Sequence, residues 1–148
     1  MAADTADNEK IVRRTLEAFE AADERGLREV LARDFVFHNA PPGFAEDADG
    51  FVQLARNVKS GIPDAKLTIQ DIFSGEDKVA VRFSHAGTHR GELIGVPPSN
   101  RTVTIRGIEI YRLSDGKIAE YWGEIDGSDV FGPPPGIGNA GAGGQQQL

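Results

Sequence analysis

Residues 101–126 read RTVTIRGIEIYRLSDGKIAEYWGEID, two strand-like runs joined by Ser114-Asp115-Gly116. A strand, a glycine-containing turn and a second strand predict a long antiparallel hairpin, and no other stretch limits the fold as tightly. Side chains alternate across a strand, so the length of the turn decides which residues share a face. A three-residue loop, with a type I turn and Gly116 as a left-handed bulge, sets Glu109 opposite Tyr121. Gly107, Glu109, Tyr111, Ala119, Tyr121 and Gly123 then share one face, and Arg106, Ile108, Ile110, Ile118, Glu120, Trp122 and Glu124 share the other. A two-residue Asp-Gly turn would instead pair Glu109 with Trp122 and reverse the second strand. The three-residue loop is preferred, because it gathers small and polar side chains on one surface and leaves Ile108, Ile110, Ile118 and Trp122 together on the other.

Upstream, Val12, Leu16 and Phe19 recur at helical spacing within about Asp7 to Asp23, and Leu27, Val30 and Leu31 predict a shorter second helix. Asp34 to His38 alternates as a short strand, with Phe35 and Phe37 on one side and His38 on the other. The run Asn39-Ala40-Pro41-Pro42-Gly43 then forces a loop. Phe51, Leu54, Ala55 and Val58 mark a third helix that stops near Gly61 and Pro63. Strands follow over Lys66 to Phe73 and Lys78 to about Arg90, with Gly95 to Asn100 as a rigid connector. Helices followed by long antiparallel strands make an α+β domain, and a curved sheet crossed by helices encloses a hollow at its open end. We read residues 1–6 as a frayed terminus, 7–131 as the domain, and the Gly-, Pro- and Gln-rich residues 132–148 as a disordered tail.

Composition removes several classes of function. A net charge of −7 and a pI near 4.9 argue against nucleic acid or an anionic membrane surface as partner. The chain has no cysteine, which excludes disulfides, thiolate nucleophiles and cysteine-ligated metals. Three histidines on separate segments lack metal-ligand spacing, so no metal is expected. Neither a phosphate-binding glycine loop nor a dinucleotide fingerprint is present, and no cofactor is expected. No apolar run reaches the roughly 18 residues of a membrane span. The acidic start MAADTADNEK lacks a hydrophobic signal region, which predicts a cytoplasmic protein.

The segment VAVRFSHAGTHRGELIGVPPSNRTVTIRGIEIYRLSDGKIAEYW resembles the SnoaL-like polyketide cyclase family of the NTF2-like superfamily. The likeness is carried by Gly87-Thr88-His89, Gly91, Gly95-Val96-Pro97-Pro98-Ser99, the Arg112 to Ile118 turn and Glu120-Tyr121-Trp122, with DFVFHNAPPG and IPDAKLTI as further similar segments. It spans about residues 8–130 and implies an NTF2-like cone, a curved, mostly antiparallel sheet packed against N-terminal helices, with a homodimer formed through the sheet's convex side. It also implies a hydrophobic small-molecule substrate and ring closure by intramolecular aldol chemistry without metal or cofactor. In the ring-closing members an aspartate on the last strand and a histidine on the preceding one move the proton. Those positions fall on Gly123 and Glu109 here, so the acid/base role is absent or has moved to Glu109 or another carboxylate.

Glu109 is the first candidate catalytic residue: a mid-strand carboxylate short of solvent has the raised pKa that a proton shuttle needs. The alternative is a carboxylate facing solvent or paired with Arg82 or Arg106. His38, beside the Pro-Pro-Gly loop where the cone's mouth would be, is a second candidate acid/base, set against a histidine that only bonds loop carbonyls. Asp126 is either a third catalytic acid at the mouth or a cap for the turn that follows. Tyr121 and Tyr111 are expected to contact substrate, Gly123 to make room for it, and Arg82 to bind it or to pair with a buried carboxylate. His89 reads as structural, and His85 carries no signal. The reading is a cofactor-independent cyclase or isomerase of secondary metabolism. A non-catalytic binding dimer, or an epoxide-opening hydrolase built on Glu109, Asp126 and Arg82, is the alternative.

Overall fold

Asp4 starts the first helix by accepting a hydrogen bond from the Ala6 amide, and Ala22 ends it in the left-handed conformation. The computed structural model describes residues 4–133; residues 1–3 and most of the expected disordered tail, 134–148, lie outside the described residues. The elements run α1 (Thr5–Ala21), α2 (Glu24–Val30), β1 (Leu31–Phe37), α3 (Ala48–Gly61), β2 (Lys66–Gly75), β3 (Lys78–Thr88), β4 (Thr102–Ser114), β5 (Lys117–Asp126) and α4 (Ser128–Phe131). Thr5 and Ala6, read from sequence as frayed, form the first turn of α1. Asp23 and Asp47 cap α2 and α3 in the same way as Asp4 caps α1.

The strands form one curved, unclosed sheet in the order β1-β5-β4-β3-β2, so the α+β expectation holds. Among the described residues only the β1–β5 pairing is parallel. The inner face packs against α1 and α3 through an aromatic cluster centred on Phe51, whose ring lies 5.2–5.5 Å from those of Phe19, Phe35, Phe37 and Tyr121. Tilted and edge-on rings at these distances gain quadrupolar attraction beyond simple burial.

The hairpin differs from expectation at its tip. Asp115 (φ 52°) and Gly116 (φ 75°) are both left-handed, a two-residue turn whose twist matches the strands, so Ser114 pairs with Lys117 and Leu113 with Ile118. The register then slips: Arg112 pairs with Glu120, Ala119 is left over, and Glu109 lies opposite Gly123 rather than Tyr121 or Trp122. The surplus residue does what a third loop residue would have done. Glu109, Tyr111, Tyr121 and Gly123 therefore share the inner face as expected. Between turn and bulge the parity is reversed, and Ile118, expected outside, is fully buried in the core. The outer face keeps Ile108 and Ile110, 53% and 38% exposed, with Trp122 half-buried beside them.

Candidate functional site

Between the helices and the inner face lies a largely apolar hollow of about 480 Å³. Leu16 and Phe19 of α1, Phe51 and Leu54 of α3, and Leu67, Phe83 and Ile105 of the sheet line it. Pro41 and Pro42, Leu93 and Ile94, and Ile125 with Phe131 of α4 complete the lining. A second concavity of about 520 Å³ runs along the outside of α3 past Arg56, Glu92 and Ile94. It is more open and more polar and is bordered by no buried ionisable group, so the inner hollow is the better site.

Among the described residues, Glu109 is the only carboxylate that lines the hollow, and it is 8% exposed. Tyr121 donates its hydroxyl to Glu109 Oε2 at 2.6 Å, and Tyr111 donates to Oε1 at 2.8 Å. Burial pushes the carboxyl above the ordinary glutamate value, and the hydroxyls of Tyr121 and Tyr111 offset this only in part. Both tyrosines are raised well above the usual phenol value, first by burial and then by the charge of Glu109, so they stay protonated donors. Arg82 and Arg106 do not pair with Glu109. Arg82 sits in register with Ile108 on the outer face and bonds Asp71 at 2.6 Å and Gln70 at 3.0 Å, while Arg106 is exposed.

Gly123 has a specific purpose here. A Cβ at this position would lie 2.5 Å from the Tyr121 hydroxyl, so the bare backbone is what lets that phenol reach Glu109. The phenol thus fills the space where the resemblance placed an aspartate. Tyr121 and Tyr111 meet at 5.3 Å, ring centre to ring centre, which fixes both hydroxyls against one carboxyl.

Like Arg82, two further candidates from the sequence do not join this cluster. His38 follows the inward-facing Phe37 and so points outward: its Nε2 is 2.8 Å from Glu120 Oε2, and its ring stacks on Trp122 at 4.9 Å and 5°. Arg112 donates to the other oxygen of Glu120 at 2.6 Å. Asp126 is exposed and accepts from the Ser128 amide at 3.0 Å, which holds its pKa low and starts α4. His89 is buried at the end of β3, where its backbone bonds Arg101 and Asn100. Among the described residues no group of three or more histidine, aspartate or glutamate side chains converges to hold a metal ion, and no helix is long and apolar enough to cross a membrane.

The structure adds His85, which is 5% exposed and lines the hollow. Burial holds its imidazole below the usual histidine range. The signal was in the sequence: Val79, Val81, Phe83 and His85 occupy alternate positions of one strand, and the apolar three set the inward phase. Phe131 was missed because one helical turn is too short to show a period.

Three comparisons bear on the chain. The family described as SnoaL-like polyketide cyclase matches residues 9–131. Among solved structures, the chain is similar to wild-type IdmH from Streptomyces antibioticus, assigned as a polyketide cyclase, at 33% identity over 83% of this chain and 94% of that one, with a TM-score of 0.71. TsrD from Streptomyces laurentii is 27% identical over 84% and 91%, with a TM-score of 0.75. AclR from Streptomyces galilaeus, assigned as a hydroxylase, is 27% identical over 83% and 77%, with a TM-score of 0.72. No curated protein matches.

Proposed function

Because the chain belongs to the SnoaL-like polyketide cyclase family, we propose that it is a cofactor-independent cyclase or isomerase that closes a ring in a hydrophobic, polyketide-like substrate. Its setting would be cytoplasmic secondary metabolism of the kind that makes antibiotics. One observation carries the proposal: a single carboxyl, buried in an apolar hollow, is gripped by two phenol hydroxyls and paired with no cation.

That arrangement suits proton transfer to and from carbon. Ionised Glu109 removes a proton from a carbon activated by adjacent carbonyls. The enolate attacks a second carbonyl of the same molecule, one C–C bond forms, and the new alkoxide takes a proton back from Glu109 or through Tyr121. Nothing leaves and no co-reactant is consumed. The tyrosine hydroxyls hold the carboxylate when it is charged and turn toward substrate oxygen when it is protonated. The hollow's walls fold the chain so that the reacting carbons meet. Arg82 and Asp126, required for an epoxide-opening site with Glu109, lie away from it, which leaves that alternative without its parts.

A non-catalytic binding role is favoured by a different feature: both oxygens of Glu109 are already satisfied within the protein. Turnover decides between the two. With linear aromatic poly-β-ketone esters as substrates, Glu109→Gln keeps the shape and removes the base, and kcat should fall about 10²–10⁴-fold. Turnover undiminished in that variant removes the proton-transfer mechanism, and no turnover by the native chain leaves the binder. A homodimer through the outer face belongs to the same proposal, supported by the adjacent Ile108, Ile110 and Trp122 side chains.

A further inference from the structure

Among the described residues, the buried side-chain atoms without a hydrogen-bond partner are Asn8 Oδ1, His85 Nε2 and His89 Nε2. Of these residues, His85 alone lines the hollow. Native proteins rarely leave such atoms unmatched without a reason; at His85, whose ring borders the hollow while this nitrogen is itself enclosed, a ligand's polar group reached by a turn of the ring is one. Along the sheet His85 is well separated from Glu109. Val81 of β3 is the register partner of Glu109, and His85 lies four residues further on, roughly 13 Å of strand at about 3.3 Å per residue.

We propose that His85 is the second polar anchor of the hollow, taking a hydroxyl or carbonyl at the far end of an elongated, otherwise apolar substrate whose reacting end lies at Glu109. This rests on the reading of the hollow as a polyketide-type site and narrows its substrate class. The molecule must be long enough to span both anchors, and its distal polar group must be uncharged. A neutral imidazole offers one N–H donor and one ring nitrogen acceptor, which match a hydroxyl or carbonyl and do not compensate a carboxylate or phosphate. The surroundings keep the ring neutral. Leu67 and Ile105 flank it in register. Burial opposes the charged form and outweighs Glu20 of α1, which favours it and whose carboxylate already accepts from the Leu67 amide at 2.5 Å, while Lys59 of α3 adds to the effect of burial. Phe83, between His85 and the Glu109 row on the same face, leaves an apolar middle for fused rings.

Two planar tricyclic probes test the anchor on the full chain by fluorescence titration: 2,6-dihydroxyanthraquinone, with a hydroxyl at each end, and 2-hydroxyanthraquinone, with one. The dihydroxy probe should bind about 3–10-fold more tightly, the worth of one net hydrogen bond. In His85→Phe this ratio should collapse toward one while the unfolding midpoint stays at or above that of the native protein, because the orphaned nitrogen has gone. His85→Gln, which keeps a polar end with shorter reach, should give an intermediate ratio, and it decides the matter if the phenylalanine variant does not fold. A ratio unchanged in either variant, or equal weakening of both probes with a lowered midpoint, overturns the anchor. If neither probe binds the native chain, the polyketide reading of the hollow falls and His85 with it. Loss of turnover in Glu109→Gln with an unchanged probe ratio in the His85 variants keeps the cyclase and removes only the anchor.

Discussion

Glu109 and Glu120 lie on the two strands of one hairpin and face opposite ways, and their pKa values move in opposite directions. On the inner face Glu109 is surrounded by apolar walls and meets only neutral donors, so burial raises it. On the outer face Glu120 has His38 and Arg112 on its two oxygens, and these lower it. The same side chain on one sheet is thus a buried acid that holds its proton more tightly on one side and a fixed ion-pair partner on the other. What separates them is the company each face provides: phenols and a glycine inside, a guanidinium and an imidazole outside.

The contrast depends most on Gly123, so the largest effect should come from there. Gly123→Val puts side-chain atoms where the Tyr121 hydroxyl now sits, and the ring can retreat only into the hollow because Phe37, Phe51 and Tyr111 pack around its other sides. The carboxyl loses one donor, at a cost of about 1–3 kcal/mol for a buried group left short of a partner. Turnover should fall at least tenfold. Unchanged unfolding and turnover in Gly123→Val would mean that the phenol does not hold the acid.

A second effect follows from the raised pKa of Glu109. A carboxyl whose folded pKa exceeds its unfolded value favours folding while protonated. That contribution is complete below the ordinary glutamate value of 4.5 and is lost as pH rises through the folded pKa. Glutamine cannot ionise and still offers a carbonyl to the tyrosines. Glu109→Gln should therefore match the native protein in denaturant titrations at acid pH and become the more stable of the two as pH rises. Each unit by which the pKa is raised corresponds to about 1.4 kcal/mol. Parallel stability curves across pH 4–9 would remove the strained acid from the inner face.

Much of this was legible in the residues. The alternation around Glu109 announced an inward carboxylate, and the isoleucines at 108 and 110 announced the exposed outer stripe. The turn was read one residue too long, but the error was harmless to the site because Ala119 restores the phase beyond the bulge; a bulge has no local signature when every nearby residue suits a strand. Only Ile118, between turn and bulge, shows the slip. His38 was assigned to the mouth from its position beside a loop, although the alternation that turns Phe35 and Phe37 inward already sends it outward. Arg82 follows the same rule in the middle of β3, where Val81 and Phe83 face in. What sequence did not hold was distance across the sheet: that Tyr111 and Tyr121 converge on one carboxyl, and that Gly123 is empty so that they can.

The smallest effect is expected on the outer face, and there the interest lies in its being small. Glu120 is held low first by the His38 hydrogen bond and then by Arg112, so its contribution is present above the ordinary glutamate value of 4.5 and is lost as pH falls through the folded pKa. Its partners are partly solvated, and water and salt replace most of what such a pair gives. Glu120→Gln should lower the unfolding midpoint by a few degrees or less at neutral pH, less still at high salt, and should converge with the native protein only once pH has fallen below the lowered pKa of Glu120. It should leave turnover per chain unchanged, since the side chain faces away from the hollow. A large loss of turnover in Glu120→Gln with the midpoint intact would show that the two faces are coupled through β5, and that His38 and Glu120 reach the chemistry from behind the sheet.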